Sequence, residues 1–136
     1  MSTRSKARKA ALDLLYEGDI RNRSAAELLN TRKNELEYLI REYSEFLVAG
    51  VVEKRERLDE IISMRAKDWD LDRMPVVDRN ILRLGTFELL WGNDLPEGVA
   101  ISEAVELAKT LSTEDSATYI NGVLAAISDI KASLSL

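Results

Sequence analysis

The residues best suited to chemistry in this sequence are basic and lie at its start. Four cations fall within the first nine positions: Arg4, Lys6, Arg8 and Lys9. The first acidic residue to follow is Asp13. Positive charge at the start of a helix opposes the helix dipole and is locally unfavourable unless an anion compensates it. From the residues alone, contact with RNA phosphates and a frayed, solvated terminus are equally good interpretations.

Tyr119 is the second candidate for a functional contact. Its neighbours Ile120 and Val123 belong to an apolar stripe at helical spacing, which leaves Tyr119 at the edge of that stripe. A tyrosine in this position either completes the core or offers a stacking face to an RNA base. The residues alone favour the core role and leave the stacking role open.

Catalytic chemistry has little support in the sequence. The chain has neither cysteine nor histidine, which excludes thiolate and imidazole nucleophiles, bases and metal ligands. It also lacks a glycine-rich phosphate loop and a calcium loop. Glu103, Glu106 and Lys109 lie three residues apart, but this spacing is ordinary on a solvated helix face. We therefore expect no enzyme activity, no metal and no cofactor.

Composition and charge indicate a single folded domain over residues 1–136, since 46% of the residues are hydrophobic and 32% are charged. The net charge of −5 argues against attraction of nucleic acid by the overall electrostatic field of the protein. Any affinity for nucleic acid must therefore come from the local basic cluster. No apolar run approaches the roughly 20 residues of a membrane span, and the basic start lacks the apolar core of a signal peptide. The expected location is cytoplasmic.

The elements that position these residues are predicted to be helices, because apolar residues recur at steps of three and four. The first predicted helix runs from Lys6 to Ile20, and Ser24 begins a capping-box pattern before a short second helix near residues 25–30. A third stripe runs from Leu36 to Val51 and breaks near Lys54, after which Leu58, Ile61 and Ile62 resume it.

The second half of the chain predicts the remaining helices. Pro75 suits the first turn of a helix that is apolar almost all round, which is typical of a central helix. Residues 92–98 form the predicted loop after it, and two final helices follow. The last of these is predicted to start at Ser112-x-x-Asp115 and to extend its stripe to Leu134. The prediction is an all-α fold of about seven helices, packed as a bundle or as two small bundles sharing the helix around Leu84.

Several segments together resemble the NusB family. They occur in order along the chain: ARKAALDLLY at 7–16, ILRLGTFEL at 81–89, Pro96 with VAISEAVELAK at 99–109, EDS at 114–116 and NGVL at 121–124. The match covers nearly the whole chain, and only residues 18–34 are unremarkable for the family. No single one of these segments would be as specific.

The resemblance implies an all-helical RNA-binding adaptor rather than an enzyme. Members of the NusB family recognise the boxA element of ribosomal RNA leader transcripts. Their partner is NusE, a small-subunit ribosomal protein, and the pair joins other Nus factors on RNA polymerase to favour synthesis of ribosomal RNA. Family members occur as monomers or as homodimers.

The resemblance also implies roles for particular residues. Arg4, Lys6, Arg8 and the adjacent Lys9 stand at the arginine-rich motif of the family and are expected to contact RNA. Asp115 and Tyr119 match positions on the RNA-facing surface, while Tyr16 and Asp78 match positions at the NusE surface. Lysine lacks the planar fork of arginine, so a motif with two lysines predicts modest affinity for RNA alone and stronger dependence on NusE.

Two alternatives come from other functional classes. The first is a helical protein-interaction module that binds no RNA, and RNA binding discriminates it from the family role. The second is the helper domain of an RNA methyltransferase, because NusB-like domains also occur fused to such enzymes. This chain has no cysteine nucleophile and no glycine-rich cofactor loop, so we do not expect that activity to reside in it.

Overall fold

The computed structural model describes residues 2–35, 41–92 and 94–136. The α-helices in these ranges are α1 (Thr3–Arg21), α2 (Ala25–Lys33), α3 (Glu42–Glu53), α4 (Arg55–Arg65), α5 (Val76–Trp91), α6 (Glu97–Leu111) and α7 (Glu114–Ile130). Short 3₁₀ turns occupy Leu71–Arg73 and Lys131–Ser133, and the described residues contain no β-strand. The predicted all-α class with about seven helices is confirmed. None of the described helices is both long and apolar enough to cross a membrane.

The chain divides after Lys54 into two compact units. The first unit holds α1, α2 and α3, and the second holds α4 to α7. The predicted break near Lys54 is confirmed, because α3 ends at Glu53 and α4 begins at Arg55. The apolar helix around Leu84 is α5, which lies wholly in the second unit and packs against α4, α6 and α7.

The first unit is built on small residues along α1. Ala7 and Ala11 are completely buried, and α1 packs closely against α3 and α2. The helix ends where Asn22 adopts the left-handed conformation, with a φ of 53°, and donates its backbone N–H to the carbonyl of Gly18. Glu17 then joins α1 to α2 by accepting hydrogen bonds from Arg32 at 2.8 and 3.0 Å.

The second unit is organised around α5. Every residue from Asn80 to Leu90 is buried, which confirms the prediction of a central helix. Because a fully surrounded helix also buries its polar residues, these need partners inside the unit. Arg83 is one example, since its guanidinium donates to both carboxylate oxygens of Asp59 in α4 at 2.8 and 3.1 Å.

Neither predicted cap residue makes the predicted side-chain hydrogen bond. Ser24 precedes α2 but makes no side-chain cap hydrogen bond. The last helix is capped by Thr113, whose hydroxyl accepts the backbone N–H of Ser116 at 2.9 Å, and not by Ser112. The Ser112 hydroxyl instead donates to Asp78, a contact between residues 34 positions apart that the local pattern does not reveal.

Some element ends also differ from the predictions. Pro75 immediately precedes α5 instead of lying in its first turn, and Gly98 belongs to α6 instead of the preceding loop. Leu134 lies beyond the end of α7. The first part of the predicted third helix, residues 36–40, lies outside the described residues.

Gly85 allows α5 to pack closely against Ala104 of α6 and Leu124 of α7. A Cβ there would lie 2.9 Å from Leu124 Cδ1 and 3.1 Å from Ala104 Cβ. Overpacking costs about 1–3 kcal/mol, and the better helix propensity of alanine offsets about 1 kcal/mol of that cost. We expect Gly85→Ala to lower the free energy of unfolding by up to about 2 kcal/mol, as measured by urea denaturation.

Gly122→Ala is the matched control, because nothing lies within 4 Å of a Cβ at that helical position. Its expected effect has the opposite sign, a gain of about 0.5–1 kcal/mol. A Gly85→Ala protein as stable as the Gly122→Ala protein would contradict the packing argument.

Candidate nucleic-acid interface

The basic cluster occupies the first two turns of α1. The helix begins three residues earlier than the apolar pattern indicated, because the Ser2 hydroxyl accepts the backbone N–H of Ser5 at 3.0 Å and caps it. The first turn contains no acidic residue that would satisfy the positive end of the helix dipole. The start of α1 is therefore a locally electropositive element in an acidic protein.

The four cations of this cluster differ in accessibility. The side chains of Arg4 and Lys6 are exposed, and Lys9 is partly exposed and forms an ion pair with Asp13 at 2.7 Å. Arg8 is only 2% exposed. Direct contact with RNA, which the family resemblance implied for all four, fits the positions of Arg4, Lys6 and Lys9 and does not fit the buried position of Arg8.

Tyr43 of α3 lies beneath the two arginines. The guanidinium carbon of Arg4 is 4.5 Å from the centroid of the Tyr43 ring, and that of Arg8 is 5.6 Å away. Next to it, the buried Ser44 hydroxyl donates to the backbone carbonyl of Ala7 at 2.8 Å. These contacts between α3 and the first turns of α1 were not found by sequence reasoning, because the residues involved are more than 30 positions apart.

Tyr119 lies on α7 in the second unit and is half-buried, as its place at the edge of the apolar stripe predicted. Its ring meets Trp69 edge to face at 5.2 Å, and its hydroxyl donates to the Lys67 carbonyl at 3.1 Å. Burial raises the pKa of the Tyr119 hydroxyl above its ordinary value of 10.0, and the Asp68 carboxylate raises it further. The hydroxyl is therefore protonated at neutral pH and fixes the orientation of the ring.

The surroundings of Tyr119 are acidic. Asp115 is exposed in the first turn of α7, one turn before Tyr119. A hollow of about 320 Å³ is lined by Trp69, the ring partner of Tyr119, together with Asp70, Asp72 and the Arg83-paired Asp59. Carboxylates repel phosphate but accept hydrogen bonds from base amino groups, so this part of the second unit suits bases better than the backbone of an RNA.

Tyr16, the first of the two predicted partner residues, is accessible. It is 43% exposed on α1, and Ile20, one turn further along the helix, is 57% exposed. Large apolar side chains at this spacing share a helix face and are suited to contact with another protein.

Asp78, the second predicted partner residue, is only 1% exposed. Its two carboxylate oxygens each accept a hydroxyl hydrogen bond of 2.6 Å, one from Ser112 and one from Ser116. The expectation of a direct contact between Asp78 and a partner is therefore corrected. The carboxylate instead fixes the start of α7 against α5, and any influence on a partner must be indirect.

Glu106 and Lys109 form an ordinary surface pair. Their charged atoms are 3.9 Å apart, and both side chains are well exposed on α6. Proton transfer is tuned by burial and close neighbours, and this pair has neither feature.

Comparison with known proteins gives a consistent result. The model of the NusB family matches residues 5–129. The transcription antitermination protein NusB of Thermobifida fusca (strain YX) is 48% identical over 134 residues, which cover 98% of this chain and 94% of that protein. The NusB protein of Saccharopolyspora erythraea is 50% identical over 132 residues, covering 96% and 89% of the two chains.

Solved structures agree with the sequence comparisons. The T. maritima NusB structure superposes with a TM-score of 0.82 at 32% identity, covering 98% of this chain and 99% of that chain. A chain from a crystal structure of the antitermination factors NusB and NusE in complex with dsRNA has a TM-score of 0.76 at 33% identity, covering 93% and 96%. The resemblance that the sequence motifs indicated is confirmed.

Asp78→Ala is predicted to destabilise the protein, because it leaves the Ser112 and Ser116 hydroxyls without their acceptor. The expected fall in the free energy of unfolding is about 1–3 kcal/mol. Asp129→Ala removes the same charge from an exposed position in α7 and should change stability by less than about 0.5 kcal/mol. Urea denaturation curves that coincide for the two variants would show that Asp78 has no role in fixing α7.

Proposed function

This chain belongs to the NusB family, and we propose that it is a transcription antitermination factor that binds boxA RNA of ribosomal RNA leader transcripts together with NusE. The observation that carries the proposal is the electropositive start of α1, with Arg4 and Lys6 exposed and no acidic residue in the first turn. Such an element is an anion-binding surface on a protein whose net charge is −5. The solved relative with NusE and dsRNA supports RNA as the anion and NusE as the partner.

The phosphate contacts are assigned to three cations. Arg4 and Lys6 donate to phosphates directly, and Lys9 does so in competition with Asp13, its ion-pair partner. Each contact releases counterions from the RNA, so affinity should fall as the salt concentration rises. Because only one of the three is an arginine, affinity for RNA alone is expected to be modest and to increase with NusE.

Base contacts are assigned to Tyr119 and Asp115 of α7. The hydrogen bond to the Lys67 carbonyl holds the Tyr119 ring in place before RNA arrives, so less side-chain entropy is lost on binding. A base can then stack on the ring, while the Asp115 carboxylate accepts from a base amino group.

The NusE contact is assigned to the exposed side of α1 that carries Tyr16. Asp78 contributes only indirectly, by holding α7 through Ser112 and Ser116. Two further proposals are based on the family resemblance. The chain joins other Nus factors and RNA polymerase through its complex with NusE and RNA, and it has the capacity to form a homodimer. The role is that of a cytoplasmic adaptor without catalytic activity.

The test is fluorescence anisotropy of a labelled boxA RNA and a scrambled RNA, with and without NusE, across a salt series. Lys6→Gln should reduce the slope of log affinity against log salt by about 0.7, the loss of one phosphate contact on single-stranded RNA. Arg23→Gln is the charge-matched control, because Arg23 is exposed beyond the opposite end of α1 and should leave the slope unchanged.

Two results would contradict the proposal. If Lys6→Gln and Arg23→Gln reduced the slope equally, RNA would be attracted by the overall charge of the protein and not by a local phosphate contact at Lys6. Equally weak binding of the boxA and scrambled RNAs, unaffected by NusE, would leave only a helical protein-interaction module.

A further inference from the structure

We propose that Tyr43 of α3 is a positioning residue for RNA binding: its ring holds Arg4 and Arg8 so that the start of α1 presents its charge to RNA. The inference rests on the proposed RNA-binding function and extends it to a residue on another helix that acts through the two arginines. Two independent contacts carry it, one made by the Tyr43 ring and one by the neighbouring Ser44 hydroxyl.

The two arginines lie on one face of α1, because they are four residues apart. Both guanidinium groups lie within the roughly 6 Å at which an aromatic ring attracts a cation, at 4.5 Å for Arg4 and 5.6 Å for Arg8. Their accessibility differs, since Arg4 is exposed and Arg8 is 2% exposed. Arg8 therefore anchors the helix to the ring, and Arg4 extends from the same ring toward solvent.

The chemistry of the ring suits this task better than a carboxylate would. A carboxylate beside Arg4 would neutralise its charge and occupy the N–H groups that a phosphate needs. An aromatic face attracts the cation by its quadrupole and carries no net charge. Tyr43 therefore restrains Arg4 and compensates part of the repulsion between the two arginines, while the guanidinium keeps its full charge and its donors for phosphate.

The backbone of α1 is fixed at the same place. The Ser44 hydroxyl donates to the carbonyl of Ala7, and both residues are completely buried. Because Tyr43 and Ser44 are consecutive, one turn of α3 restrains both the arginine side chains and the helix that carries them. A preorganised cation loses less side-chain entropy when it binds phosphate than a freely rotating one does.

The experiment compares boxA RNA affinity and its salt dependence among variants of the full chain. Tyr43→Leu removes the ring while keeping an apolar side chain, and we expect RNA binding to weaken about threefold to tenfold, with a salt slope smaller by at most about 0.7, because Arg4 keeps its charge. Tyr43→Phe keeps the ring and should bind within about twofold of the unaltered protein. Val52→Ala is the control, since it truncates an exposed apolar side chain of α3 nine residues from Tyr43 and should leave RNA binding unchanged.

A second variant separates the electrostatic role from packing. Replacing Tyr43 with pentafluorophenylalanine preserves the ring shape but removes the negative face that attracts cations. RNA binding should weaken relative to Tyr43→Phe at the same thermal stability. Arg4→Gln should also lose most of its effect in the Tyr43→Leu background, because the two residues act through one contact.

The outcomes distinguish this inference from the function on which it rests. If the unaltered chain fails to bind boxA RNA in preference to scrambled RNA, both proposals are overturned. If it binds, and Tyr43→Leu and the fluorinated variant keep the same affinity and salt slope as Tyr43→Phe, RNA binding stands and the positioning role of Tyr43 is overturned.

Discussion

The first two turns of α1 contain four basic residues and no acidic one. The structure of the first unit depends on the contacts that stabilise this positive charge. A helix start favours acidic residues, yet this one has none and places two arginines on the same face. The structure meets this constraint with the ring of Tyr43 and with the ion pair between Lys9 and Asp13. The ring restrains Arg4 without neutralising its charge, so this exposed guanidinium can still attract an external anion.

The second unit meets a different constraint. Its central helix is surrounded on all sides, so its polar residues must find partners inside the unit. Asp78 binds two serine hydroxyls at the start of α7, and Arg83 binds Asp59 of α4. These contacts are specific in direction as well as in type, so they fix how α7 and α4 lie against α5. Tyr119 then extends from a helix whose start is already fixed.

Most of the helical structure could be predicted from the sequence, because apolar periodicity is a local property. The helix through Leu84 was correctly identified as central, since its apolar residues cover nearly the whole circumference. The position of Ser24 before α2 was predicted correctly, although its side chain makes no cap hydrogen bond. The cap of the last helix was predicted wrongly, because Ser112 fits a local motif but its hydroxyl has a distant partner in Asp78.

The candidate site was predictable only in part, because local sequence patterns do not reveal contacts between residues far apart in the chain. The cluster from Arg4 to Lys9 is visible as charge in the sequence, and the edge position of Tyr119 follows from its stripe. The burial of Arg8 and Asp78 does not follow from either pattern, because it depends on contacts with Tyr43 and with two serines far along the chain. Family motifs mark such positions as important without distinguishing a direct contact from a supporting one.

Photo-cross-linking of 4-thiouridine-labelled boxA RNA to the full chain would show whether the start of α1 contacts the RNA. Mass spectrometry of the cross-linked peptides would locate the contacts. We expect cross-links in the first two turns of α1 and at Tyr119 of α7, competed by unlabelled boxA RNA and not by a scrambled RNA. Cross-links confined to α2 and α6, or competed equally by both RNAs, would contradict this expectation.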